Sequence, residues 1–257
     1  MSYTFRDYPL GVYVEMLDRR EPFVSVLFGD GELSAMLGDR DGKPFTHYDE
    51  VVTPVIRQRM EEILDDPNPN IYKGTDRHLI EWWTYAGQDK ESLVALAKRF
   101  NPLLENRHVD WVDGVVWDTA MREGKLGPFL RAVREFGGER TTLVANQPLV
   151  QAVKYKIGLA PKWSITIPRT NALAKHDSIY DACAQAKSGL YLLCAGLGAV
   201  PLAQRLHADN PEATIIDLGS VLDIFARIGE ERGWRQELYA DDARYADVLR
   251  RNLECLD

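Results

Sequence analysis

Two carboxylates, Asp30 and Glu32, stand one residue apart between glycines in the run Phe28-Gly29-Asp30-Gly31-Glu32. The stretch Phe23–Phe28 before them reads as a β-strand, and Leu33–Leu37 after them reads as a helix. The pair is therefore expected at the carboxyl end of a strand, where α/β proteins hold ligands. Gly29 and Gly31 permit a tight turn and a close approach of backbone. Carboxylates this close repel each other unless something positive sits between them. A hard divalent cation such as Mg²⁺ or Mn²⁺ does that well, because it prefers oxygen ligands. The same residues also suit a helix start, with Asp30 as the cap and Glu32 in the first turn. Spacing alone leaves both readings open, and they are compatible.

A second candidate is Ala195-Gly196-Leu197-Gly198-Ala199-Val200-Pro201. An apolar strand ends in two glycines and a helix begins, a geometry that can cradle a phosphate. Asp217 closes the next strand about 20 residues on, where a ribose-binding acid sits in dinucleotide folds. The third fingerprint glycine is missing, with Pro201 in its place. Gly-x-Gly alone also fits a plain strand-to-helix turn. Asp217-Leu218-Gly219-Ser220 would add a carboxylate and a hydroxyl, or Ser220 would cap a helix over Val221–Ile228. Arg169 follows the strand Ser164–Ile167 and Pro168, within reach of a phosphate or simply on the surface. Trp82-Trp83 could stack a sugar or a base, or divide between core and surface.

Several chemistries are excluded. His47, His78, His108, His176 and His207 are scattered without zinc spacing. There is no Gly-x-Ser-x-Gly elbow and no Gly-x-x-x-x-Gly-Lys-Ser/Thr loop. Cys183, Cys194 and Cys255 lack ligand or disulfide spacing, and are expected to be reduced thiols of a cytoplasmic protein. No run of about 20 apolar residues is present, and the first residues show no apolar signal region. The net charge of −8 argues against affinity built on nucleic-acid phosphates, unless Arg57, Arg59, Lys73 and Arg77 line a groove.

The elements that must position these residues follow from the apolar pattern. At 257 residues the chain makes one large domain or two small ones. Hydrophobic residues make up 45% and charged residues 27%, the balance of a globular protein rather than a disordered one. Strands Thr141–Ala145, Ser164–Ile167, Leu190–Ala195 and Ala213–Asp217 alternate with helical patterns, and they are apolar on both faces. Such strands belong in a parallel sheet covered by helices. The expectation is an α/β, Rossmann-like, mostly parallel sheet with helices on both faces. The first half reads as helix-rich, with helices at Leu10–Leu17, Val55–Leu64, His78–Tyr85, Lys90–Phe100 and Leu126–Phe136. A soft boundary at Gly138 separates residues 1–138 from 139–257, although the halves can equally form one continuous domain.

The segment Pro22–Glu32 resembles the aromatic-Gly-Asp-Gly-Glu signature of the GT-D-type glycosyltransferases, which use a DXE motif, a divalent metal and a nucleotide-sugar donor. Later segments are similar to that family in order and spacing: Thr142–Asn146, Ile167–Ala172, Leu193–Gly198 and Thr214–Ser220. The resemblance runs from about residue 20 to residue 225. It implies a GT-D-like fold, with Asp30 and Glu32 as the DXE carboxylates that bind Mn²⁺ or Mg²⁺ against the donor diphosphate. It also implies a nucleotide-sugar site drawn from Gly29, Gly31, Asn146, Arg169, Gly196, Gly198, Asp217, Gly219 and Ser220. The family often carries an arginine just before the aromatic residue, where this chain has Leu27, and tends to glycine where this chain has Ala145 or Asn146. The function expected is transfer of a sugar from a UDP-type donor to a glycan, a glycoconjugate or a modified base. His176, Asp177 and Asp217 are candidates for the base that takes the acceptor proton. A homo-oligomer is compatible with the sequence. The competing readings are a Rossmann-type enzyme using S-adenosylmethionine or a nicotinamide cofactor through Gly196, Gly198 and Asp217, and an inactive nucleotide-sugar-binding protein.

Overall fold

A computed structural model describes residues 3–38, 50–80, 91–104, 107, 109–229 and 233–256. Eight strands build one sheet: β1 (Tyr3–Arg6), β2 (Val24–Leu27), β3 (Ile71–Thr75), β4 (Val109–Asp113), β5 (Thr141–Asn146), β6 (Trp163–Ile167), β7 (Leu190–Leu193) and β8 (Thr214–Asp217). Their order is β1-β4-β3-β2-β8-β7-β5-β6, and every neighbouring pair is parallel. Helices cover both faces, as the α/β reading expects.

The apolar runs divide strictly between the faces, because successive strand residues point to opposite sides. In β7, Leu190 and Leu192 enter one core, while Tyr191 and Leu193 enter the other. In β8, Ile216 and Ile215 divide in the same way. Helices Leu10–Arg19, Gly127–Phe136 and Asp242–Leu253 pack on the first face through Leu17, Phe129 and Val248. Helices Asp30–Met36, Pro54–Asp65, His176–Ala186 and Ala199–Asp209 pack on the second, through Leu33, Met60, Cys183 and Leu202.

The seam between the chain's two halves is the β2–β8 pairing, where Val24 and Ser25 register with Ile215 and Ile216. Strands from both sides of residue 138 therefore share one sheet. The helices expected in the first half are present where residues are described, and β1, β3 and β4 are added to them. These strands escape an apolar-run reading for identifiable reasons. In β3, Lys73 is buried and donates to the Asp66 carbonyl at 2.6 Å, and Gly74 lies against Gly114. In β4, buried Val109 and Trp111 alternate with exposed Asp110. One expectation about β6 fails: it is an edge strand with four of its five residues at least partly exposed, so only Ile167 is buried. Among the described residues, no helix is long and apolar enough to cross a membrane.

Candidate active site at the carboxyl ends of β2 and β8

Phe28 is fixed to β3 from both directions. Its N–H donates to the Gly74 carbonyl at 2.7 Å, and the buried Thr75 hydroxyl donates to its carbonyl at 2.8 Å. The chain then turns into helix Asp30–Met36. The cap position is Gly29 rather than the Asp30 expected, because Gly29 still has extended backbone and Asp30 is already helical. Gly29 has no side chain, so Glu32 reaches back and its Oε2 accepts the Gly29 N–H at 3.0 Å. Asp30 is exposed at the first turn and Glu32 is half-buried beneath it.

Asp217 closes β8 beside them. Its Oδ2 accepts the Leu27 N–H at 3.3 Å and its Oδ1 accepts the Gly219 N–H at 2.9 Å. Gly219 holds a positive φ of 51°, a left-handed conformation that suits glycine. Asp217 thus ties the end of β2 to the loop after β8 while only 4% exposed. Burial pushes its carboxyl up to about 7. Glu32 is pushed up to about 8, first by burial, then by the negative charge of Asp217, with Asp30 adding to it. The seam therefore gathers three carboxylates: Asp30 outside, Glu32 between and Asp217 inside.

Carboxylates are hard oxygen donors. Their oxygens suit a hard cation, and the mutual repulsion of Glu32 and Asp217 is what a cation relieves. Among the described residues, no three His, Cys, Asp or Glu side chains form a ready-made cage.

The Gly196–Gly198 turn abuts this seam. A Cβ on Gly31 would stand 3.1 Å from Leu197 Cδ2, so the absence of a side chain lets helix Asp30–Met36 come down on the turn. Gly196 is exposed, whereas Leu197, Gly198 and the first residues of helix Ala199–Asp209 are buried. Leu173 covers Gly198, and the buried carboxylate of Glu50 holds that cover, accepting the N–H groups of Ala172 and Leu173 at 2.7 and 2.8 Å. Leu27, where the family arginine was noted, is half-buried; a Cβ on Gly114 would meet its Cδ1 at 2.6 Å.

Other expected residues are held elsewhere. Ser220 caps no helix, because within the expected span Val221–Ile228 only Asp223–Ala226 is α-helical and its cap position is Leu222. Instead, the Ser220 hydroxyl and carbonyl accept Arg235 Nη2 at 3.0 and 2.5 Å. Asn146 caps helix Gln147–Ala152 by accepting the Leu149 N–H at 3.1 Å. Arg169 is exposed beyond β6, four strands from β2 or about 19 Å at ~4.8 Å per strand. His176 and Asp177 belong to a separate cluster with Arg59 and Arg205. Burial, then Arg59 and Arg205, push the His176 imidazole down to about 4. The four basic-groove candidates are held separately: Arg57 donates to the Ala35 carbonyl, Lys73 to the Asp66 carbonyl and Arg77 to Asp7, while Arg59 lies with His176 and Asp177. Trp82 and Trp83 lie outside the described residues.

Two residues of the site were not anticipated. Arg235 sits in a charged C-terminal stretch whose apolar residues, Trp234 and Leu238 among them, suit a packed helix, and it is itself fully buried. Glu50 had no motif to mark it. Only the approach of β2 to β8 reveals that Asp217 faces Glu32.

No family model and no curated protein matches the chain. Two solved structures of the domain of unknown function 1792 (DUF1792) do. A selenomethionine-substituted one aligns with a TM-score of 0.63 and 17% identity, over 92% of this chain and 82% of that one. The second aligns with a TM-score of 0.62 and 16% identity over the same shares, and is described as having a distinct glycosyltransferase fold. The chain therefore has a glycosyltransferase-like fold.

Proposed function

We propose that the protein is a metal-dependent glycosyltransferase that moves a sugar from a UDP-type nucleotide-sugar donor to a glycan or glycoconjugate hydroxyl. The observation that carries this reading is the crowding of Asp30, Glu32 and Asp217 at the seam, on a glycosyltransferase-like fold. Asp30 and Glu32 would hold Mn²⁺ or Mg²⁺. When bound, the ion supplies positive charge that stabilises the leaving nucleoside diphosphate. Asp217 positions the Leu27 and Gly219 backbone and holds Glu32 in a strained electrostatic setting. The exposed Gly196 lies on the turn packed against Gly31, which suits a donor lying over that turn. In the transfer, an acceptor oxygen bonds to the sugar's anomeric carbon as that carbon's bond to the diphosphate oxygen breaks. The acceptor proton leaves to a base or to water.

The dinucleotide reading is less well supported. Asp217 has both oxygens engaged by backbone N–H groups, and the helix start after Gly198 is covered. The test is turnover of UDP-glucose and a panel of other UDP-sugars with Mn²⁺, scored as donor consumed with and without glycan acceptors. Metal-dependent consumption that falls at least about 100-fold in the Asp30→Asn/Glu32→Gln variant is expected. Donor binding without any turnover would favour an inactive binding protein.

A further inference from the structure

A second polar cluster lies away from the strand ends, on the outer helical layer. Helices Pro54–Asp65, His176–Ala186 and Ala199–Asp209 border a groove of about 420 Å³. Arg59 and Arg205 line it, each with a side chain only 20% exposed. Both guanidinium groups converge on one atom: Oδ1 of Asp177 is 2.6 Å from Arg205 Nη1 and 3.9 Å from Arg59 Nη1. Asp177 itself is 83% exposed, so water competes for the oxygen that the two arginines share. Arg205 is pinned flat, its guanidinium carbon 3.3 Å from the centre of the Tyr180 ring. Arg59 is backed by His176, whose Nδ1 lies 3.5 Å from Nη1. An Nδ1 that accepts from arginine leaves the proton on Nε2, and that atom is buried without a partner.

Two guanidinium groups share one carboxylate oxygen of an exposed side chain, and only Arg205 is within hydrogen-bond distance of it. Guanidinium groups bind phosphate through paired N–H donors, and a phosphate offers three oxygens where the two arginines share only Oδ1 of Asp177. The remaining wall is of another kind. Gln58 and Gln204 carry amides, and Glu62 and Asp209 carry carboxylates; the Gln58 amide donates to Glu62 at 2.8 Å. Amides and carboxylates arranged around a hole are suited to hydroxyl groups, which donate and accept. The volume is that of a small-ligand site and larger than one phosphate needs.

We propose that this groove binds a sugar phosphate, with the phosphoryl group on Arg59 and Arg205 in place of the Asp177 carboxylate and the hydroxyls on Gln58, Gln204 and Asp209. The site shares no residue with the strand-end seam and does not rest on the proposed transfer reaction. Asp177 acts as a built-in competitor that the ligand displaces.

The experiment is calorimetric titration of the full chain at low ionic strength with inorganic phosphate, glucose 1-phosphate and glucose. Glucose 1-phosphate is expected to saturate and to bind more tightly than phosphate, and glucose alone is expected not to bind. Arg59→Gln and Arg205→Gln should each weaken binding at least about tenfold. Asp177→Asn should tighten it about threefold or more, a change that misfolding cannot produce. Asp30→Asn/Glu32→Gln should leave it intact. No saturable binding, indifference to both arginine variants, or unchanged affinity in Asp177→Asn would overturn the proposal. So would loss in the Asp30→Asn/Glu32→Gln variant, which would move the binding to the strand ends. Equal affinity for phosphate and glucose 1-phosphate would remove the sugar from it.

Discussion

Asp217 and Asp223 lie six residues apart on the segment that closes β8 and leaves it, and both are largely buried. Asp223 receives a matched cation: Arg235 Nη1 stands 3.1 Å from its Oδ2, and Arg235 is fully buried. Asp217 receives two backbone N–H groups, and Glu32 raises the local negative charge. The molecule thus supplies a permanent counter-charge to one buried acid and withholds it from its neighbour. A paired acid is a structural fastening, holding the loop at Ser220 to the C-terminal helices. An acid without a cation, close to a second carboxylate at a strand end, is the kind of perturbed pair that marks a candidate functional site.

The two settings should respond with opposite signs when the partner of each acid is replaced. Arg235→Met leaves Asp223 buried without its cation and frees the Ser220 carbonyl, so it should cost about 3–5 kcal/mol of stability. The double variant Arg235→Met/Asp223→Leu should recover much of that loss, since an apolar pair can replace a buried ion pair. Denaturant unfolding of the two variants measures both effects. A loss in the single variant below about 1 kcal/mol would break the comparison at its structural end.

At the other end, removing charge should stabilise. The Glu32 carboxyl sits at about 8 in the folded chain against an ordinary 4.5, so folding takes up a proton between those values. Its unfavourable contribution is absent below about pH 4.5 and is fully present above about pH 8. Glu32→Gln should therefore raise the metal-free Tm at pH 8 by at least about 2 °C, and by progressively less towards pH 5. Thermal melts across that range check it; a lower Tm at pH 8 would show that the seam tolerates its charge after all.

The second half of the fold was legible because its strands are buried on both faces. Leu190–Leu193 and Thr214–Asp217 are wholly buried, and an apolar run registers that directly. In β3, by contrast, Lys73 and Gly74 break the run, since the lysine finds a carbonyl inside and the glycine a close strand crossing. Asp30 and Glu32 were legible as a pair because they are neighbours in sequence. The approach of Asp217 to Glu32 was not, because it depends on β2 pairing with β8 across nearly the whole chain. Arg235 was hidden for a related reason: in a stretch rich in charges, nothing local separates a buried arginine from a solvated one. Ser220 shows the same limit, with a sequence that suits a helix cap and a hydroxyl that serves Arg235 instead.

The most direct test of the seam as a metal and nucleotide site is calorimetric titration with UDP and UDP-glucose in Mn²⁺, in EDTA, and in the Asp30→Asn/Glu32→Gln variant. Binding that needs Mn²⁺ and disappears in the variant is the result predicted. Binding that survives both EDTA and the loss of the two carboxylates would contradict it.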